Sequence, residues 1–278
     1  MFPAMLSQMQ QLSNQVTEVK LLVNELASLE ENTWSILYGV ERVEDKLRDK
    51  EMEEKVTLLL LWLSPLQPQK RHDDVRSKRY EETGGWFLNS PKFDTWRQVD
   101  GEDQARDSAK NIFACYGIPG AGKSVMSSLV IDNLLDESFT RKDIYVMYLY
   151  CDYRDRLQQN VENMVGELLR QAIIALRNGL YDTDDILDSL FQLQIRGKLD
   201  ISVAINHLMR CIAKFKKSYV CIDALDKSKD EVRKIFLLSL GQMLGGLSGP
   251  MLRIFLTGRP QVEPAVQHNL GLTSPITG

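Results

Sequence analysis

The residues best placed for chemistry lie in Gly117-Ile118-Pro119-Gly120-Ala121-Gly122-Lys123-Ser124, which fills every fixed position of the pattern G-x-x-x-x-G-K-[ST]. Glycines at this spacing let the backbone curl until successive N–H groups point inward at a phosphate. Lys123 supplies a point charge for β- and γ-phosphates, and the Ser124 hydroxyl can ligate Mg²⁺. Pro119, Ala121 and Val125 complete the stretch expected to wrap a nucleotide. A helix starting here turns the positive end of its dipole toward the same anion.

A phosphate loop needs an acidic partner for its metal. The run Tyr219-Val220-Cys221-Ile222-Asp223 ends an apolar strand in a carboxylate, as a Walker B motif does, and Asp223 is expected to reach Mg²⁺. Strand C-termini in a parallel sheet share one rim with the loop. Asp226, three residues on, is a second carboxylate able to orient an attacking water. Leu252-Arg253-Ile254-Phe255-Leu256-Thr257 runs into Gly258-Arg259-Pro260, so Thr257 and Arg259 are candidates to sense a γ-phosphate. The plainer readings are a helix cap for Asp223 and a surface ion pair for Arg259.

Other phosphate chemistries fit less well. The loop does not satisfy G-x-G-x-x-G, which disfavours a dinucleotide fold, and no N-K-x-D guanine-reading motif occurs. ATP is therefore favoured over GTP. Lys123 and Asp223 lie 100 residues apart. That interval leaves room for an intervening strand and several helices, as in switch-type ATPases with a central strand between the two Walker strands.

The elements that must position these groups alternate from residue 111 onward. Strands are expected over 111–116, 144–151, 219–223 and 252–257, and helices over 124–135, 160–177, 185–195, 201–215 and 230–244. Alternation of this kind implies an α/β fold, a P-loop NTPase parallel sheet flanked by helices. We divide the chain into a helical interaction segment (1–63), a linker and aromatic-rich lead-in (64–110) and the P-loop domain (111–278). The connector over residues 69–82 reads as solvated, and the aromatics Trp86, Phe87, Phe93 and Trp96 as core, with a share in walling an adenine pocket.

Leu6, Met9, Leu12, Val16, Val19, Leu22, Leu26 and Leu29 recur at helical spacing, and the stripe resumes with Ile36, Leu37, Val40, Val43 and Leu47. Glu30, Thr33 and Glu44 interrupt a strict heptad. An N-terminal α-helical hairpin or bundle, bent near Gly39, is therefore expected rather than one long coiled coil. Its stripe must bury itself within the chain, against a partner helix or by self-association.

Bulk properties narrow the partners. Net charge is −4 and 44% of residues are hydrophobic, which calls for neither nucleic acid nor an acidic membrane. The four cysteines lack C-x-x-C spacing and read as buried free thiols, and the three histidines form no zinc-ligand spacing. The longest apolar run, residues 56–63, falls far short of the ~20 residues of a membrane span. With no secretory signal at the N-terminus, the chain reads as cytoplasmic.

Taken in order, G-I-P-G-A-G-K-S, Y-V-C-I-D-A-L-D and I-F-L-T-G-R-P resemble the NACHT domain of STAND-class signalling NTPases. The lead-in R-H-D-D-V-R-S-K-R-Y-E-E-T-G-G-W-F-L-N-S-P-K-F-D-T-W and the later C-D-Y resemble its fungal branch. That branch includes NOD-like-receptor-like and vegetative-incompatibility proteins, often with ankyrin or WD repeats. The resemblance implies phosphate and Mg²⁺ binding by Lys123 and Ser124, Walker B duty for Asp223, a distal acid in Asp226 and a sensor in Arg259. Lys227 departs from the family's D-A-L-D-E, which implies weakened hydrolysis, and Gly258 replaces the serine of T-S-R-P. With Gly278 soon after the sensor strand, the resemblance implies a switch truncated before its helical and winged-helix lid. Two functions follow as expectations. One is a nucleotide-binding switch with slow or absent hydrolysis; the other is a helical adaptor whose P-loop domain is vestigial.

Overall fold

The computed structural model describes residues 2–80, 83–98, 111–179, 181–247 and 251–270. It comprises two units, divided between Thr57 and Leu58. Helix α1 (Phe2–Leu63) makes up the first unit and ends in the second. The hairpin or bundle expected over residues 1–63 is instead one uninterrupted helix, with no break at Gly39. A single glycine costs a helix only about 1 kcal/mol, and no proline lies between Phe2's neighbour Pro3 and the end of the helix. Arg48, 3.7 Å from Glu44 and 3.9 Å from Asp45, adds pairs at helical spacing.

In the second unit, four strands form one parallel sheet in the order β1 (Ile112–Tyr116), β4 (Met251–Gly258), β3 (Lys217–Asp223), β2 (Ile144–Tyr150). Every residue of β2 and β3 is buried, as continuous apolar runs covered on both faces must be. β4 lies between β1 and β3, pairing Cys115 with Thr257 and Ile222 with Leu256.

Helices α5 (Lys123–Thr140), α6 (Val161–Asn178), α7 (Asp184–Ile195), α8 (Ile201–Ile212), α9 (Asp230–Gly246) and α10 (Glu263–Asn269) accompany the sheet. Asn160 caps α6 by accepting from the Asn163 amide at 2.8 Å, and Asp200 caps α8 through Val203 at 3.1 Å. One sheet face packs Val130, Ile131 and Leu134 of α5 against Phe113, Val146, Tyr219 and Phe255. At Gly166 of α6, a Cβ would lie 2.0 Å from the Leu63 carbonyl oxygen, so only glycine permits that approach.

The connector is a docked helix rather than an extended linker, and most of its charged side chains stay exposed, as the charge pattern suggested. Pro68–Arg76 forms helix α2, with His72 and Val75 buried. His72 places Nδ1 2.9 Å from the Tyr150 hydroxyl and Nε2 3.0 Å from Asp132 of α5. Arg79 donates to the same carboxylate at 2.7 Å. Arg76 Nε lies 3.6 Å from it as well, so three groups on one aspartate dock this stretch. Two short helices follow, α3 (Gly85–Leu88) and α4 (Pro91–Gln98). Phe87, Phe93 and Trp96 join Phe113 and Phe255 in one aromatic cluster, and the Trp96 indole donates to the Asn111 carbonyl at 3.2 Å. Trp86 stays exposed.

Two glutamines attend β2. The Gln171 side chain accepts from the Tyr148 amide and donates to the Tyr148 carbonyl, each at 3.0 Å. Gln159 does the same one step along, donating to Tyr150 O at 2.9 Å and accepting from Asp152 N at 3.1 Å. All four cysteines are free thiols, and burial pushes those of Cys115, Cys151 and Cys211 up to about 12.

Candidate functional site

β1 ends at Tyr116, and the chain turns through residues 117–122 into α5. The Gly117 amide donates to Gly258 O at 3.2 Å, which pins the start of the loop to the end of β4. Gly120 and Gly122 have φ of +84° and +78°, a region that side-chain-bearing residues rarely adopt. Pro119, Gly120, Ala121 and Gly122 are exposed. The first helical bond of α5 runs from Met126 N to Gly122 O at 2.9 Å. The amides of Lys123, Ser124 and Val125 precede it and have no acceptor within the helix. Lys123 folds over the loop, its ammonium donating to the carbonyls of Gly117 at 2.7 Å and Ile118 at 2.8 Å.

Asp223 ends β3 almost wholly buried. Its Oδ2 accepts from Ser124 Oγ at 2.7 Å, and its Oδ1 accepts from Ser127 Oγ and Thr257 Oγ1, each at 2.8 Å. Three hydroxyls from α5 and β4 thus converge on one carboxylate. Thr257 in turn accepts from the Ala224 amide at 2.9 Å. Ala224 has φ +54°, the one non-glycine residue with positive φ among the described residues, so this bond holds a turn that alanine does not favour. Hydroxyl and carboxylate side by side fit a Mg²⁺ ion, which usually takes one or two protein oxygens and keeps water and phosphate for the rest. No cluster of three or more His, Cys, Asp or Glu that could hold a metal occurs among the described residues.

The structure joins two residues expected to play separate roles. Asp226 Oδ2 lies 3.1 Å from Arg259 Nε, and its Oδ1 accepts from the Arg259 amide at 3.2 Å. The carboxylate is buried while the guanidinium is about one-third exposed. Gly258 makes this turn possible, because a Cβ there would lie 2.7 Å from Val262 Cγ2. Lys227 sits in the 3-10 turn Leu225–Lys227, and its carbonyl accepts from Arg156 Nε at 3.2 Å.

Sequence reasoning missed Ser127. Its signal was available: three residues after Ser124 on a helix, it faces the same way. Asp152 of the C-D-Y stretch lies just past β2, and its carboxyl is pulled down to about 2, chiefly by the Arg154 guanidinium at 2.7 Å.

The profile of the nephrocystin 3 N-terminal domain family matches residues 82–259, well over half of the chain. The chain belongs to this family. The match runs from the lead-in helices through all four strands to Arg259, so the loop, Asp223 and Asp226 lie inside the shared domain. Among solved structures, the chain is similar to the Aeropyrum pernix ORC1 protein in complex with DNA, at 12% identity and a TM-score of 0.39. That likeness covers 66% of this chain and 46% of that one. It is also similar to a Walker-type ATPase of Pyrococcus abyssi, at 16% identity and a TM-score of 0.31, covering 64% and 51%. The chain thus spans about half the length of these structures. No curated protein matches. Among the described residues, no helix is long and apolar enough to cross a membrane.

Proposed function

We propose that this chain binds a nucleotide with Mg²⁺ at residues 117–125, ATP in preference to GTP. On this reading it is a NACHT-type signalling switch with slow or absent hydrolysis, of the kind used in fungal self/non-self recognition. The observation that carries the reading is the convergence of Ser124, Ser127 and Thr257 on Asp223, which couples the loop to the ends of β3 and β4. Mg²⁺, when bound, would be held by Ser124 and Asp223 and would screen phosphate charge. The open amides of α5 and the Lys123 ammonium bind the phosphates. Trp86, exposed in α3, is an aromatic available to an adenine. A phosphate near the rim competes with Asp226 for Arg259, and losing that pair frees Asp226 to orient water. Lys227 stands where the NACHT pattern has glutamate, which keeps hydrolysis slow. The N-terminal helical segment is the output arm, engaging a protein partner or a second copy as the bound nucleotide changes.

The test is titration of fluorescent ATP and GTP, with and without Mg²⁺, on the chain and on Lys123→Ala. Mg²⁺-enhanced binding that Lys123→Ala abolishes is expected. No binding by well-folded chain would overturn the reading in favour of a helical adaptor with a vestigial P-loop domain, to which Lys227 also points.

A further inference from the structure

The uninterrupted α1 allows its apolar residues to be placed around one helix. Val19, Leu22, Leu26, Leu29, Thr33, Ile36, Val40, Val43 and Leu47 alternate at spacings of three and four without a slip, the a and d positions of four heptads and the a of a fifth. Glu30 and Glu44 fall beside this seam, at e positions. Thr33 lies in it, but its hydroxyl donates to the Leu29 carbonyl at 2.8 Å, leaving a methyl group for the seam. The eight aliphatic members are each 50–67% exposed. At roughly 100 Å² apiece they offer on the order of 800 Å² per copy, the size a stable interface buries on each side. The other exposed apolar residues, such as Leu21, Trp34 and Tyr38, share no such row.

We infer that this seam is covered by the α1 helix of a second copy of the chain, packed antiparallel. The exposed area fits a second copy, and the charges inside the seam select the direction. With the helices reversed about the midpoint between Trp34 and Ser35, Leu22 meets Leu47, Leu26 meets Val43, Leu29 meets Val40 and Thr33 meets Ile36. Every layer between Leu22 and Leu47 is then filled. At the flanking g positions, Glu25 of each copy faces Lys46 of the other, once at each end. Inside the seam a parallel pair would instead oppose Glu25 to Glu30 twice; at its edges a parallel pair gains Lys46 opposite Glu51, and an antiparallel pair sets Glu18 opposite Glu53. The inference names the partner of the output arm proposed above and does not depend on nucleotide binding.

The test is the mass of the full chain by light scattering and sedimentation at roughly 1–50 μM, a span in which specific dimers of this size form. A dimer is expected. Leu29→Glu and Val40→Glu should each weaken it by about 100-fold or more, whereas Leu21→Glu, equally exposed but off the seam, should leave it unchanged. Direction is read by charge. Glu25→Lys should weaken the dimer about 10-fold and Glu25→Lys with Lys46→Glu should restore it, since each single change sets like charges opposite at both ends. A monomer throughout, equal damage from Leu21→Glu, or a dimer strengthened by Glu25→Lys would each overturn the inference. Lys123→Ala, run in parallel, should dimerise as the parent chain does, so a failed nucleotide site and a failed seam give different results.

Discussion

Thr257→Val removes one oxygen and keeps the side chain's volume. That oxygen is fully buried. It donates to Asp223 at 2.8 Å and accepts from the Ala224 amide at 2.9 Å. Losing the bond to a carboxylate costs about 1.5–3 kcal/mol, and stranding the Ala224 N–H costs about 1–3 kcal/mol. Because both losses relax together, about 3 kcal/mol is expected rather than the full sum. For a unit of this size, that lowers the melting temperature by roughly 6–12 °C. The assay is thermal unfolding followed by tryptophan fluorescence, since Trp96 is buried in the same unit. Thr257→Ser keeps the oxygen and should cost about 1 kcal/mol, for one lost methyl group. A shift below about 2 °C for Thr257→Val, or an equal loss in Thr257→Ser, would refute the claim that this hydroxyl ties β3 to β4.

Gly258→Ala drives a Cβ to 2.7 Å from Val262 Cγ2 and should cost about 1–3 kcal/mol in urea unfolding. Paired with Val262→Ala, it should cost less than the two single changes added together. Asp152 is held to about 2 by Arg154, so its contribution is present above the ordinary carboxylate value and is lost as pH falls from about 4 towards 2. Arg154 is mostly exposed, so Asp152→Asn should cost less than about 1 kcal/mol at pH 7 and nothing near pH 2, as read from denaturant midpoints at both pH values.

The strands and the loop were legible because local rules decide them. Apolar runs such as residues 144–150 and 217–223 leave a parallel strand few alternatives, and G-x-x-x-x-G-K-S is itself contiguous. Asp223 was legible for the same reason, as the polar end of an apolar run. What escaped were contacts between residues far apart in the chain. His72 lies 60 residues from Asp132, and no local pattern shows that a charged stretch will be pinned by that one carboxylate. The pairing of Arg259 with Asp226 spans 33 residues and depends on how β4 lies beside β3. The seam of α1 was misread for another reason. Glu30 and Glu44 look like breaks in a stripe until the helix is known to continue, and then they fall to its flank.

The glutamines along β2 have a wider consequence. Among the described residues β2 is an outer strand of the sheet, and an outer strand normally offers its backbone to any extended chain that meets it. Gln171 and Gln159 occupy those positions with side-chain amides, which satisfy donor and acceptor as a neighbouring strand would but carry no chain onward. The sheet is therefore a poor template for growth at this border. Encounters between crowded or newly made copies cannot propagate there as fibrils without first breaking four hydrogen bonds.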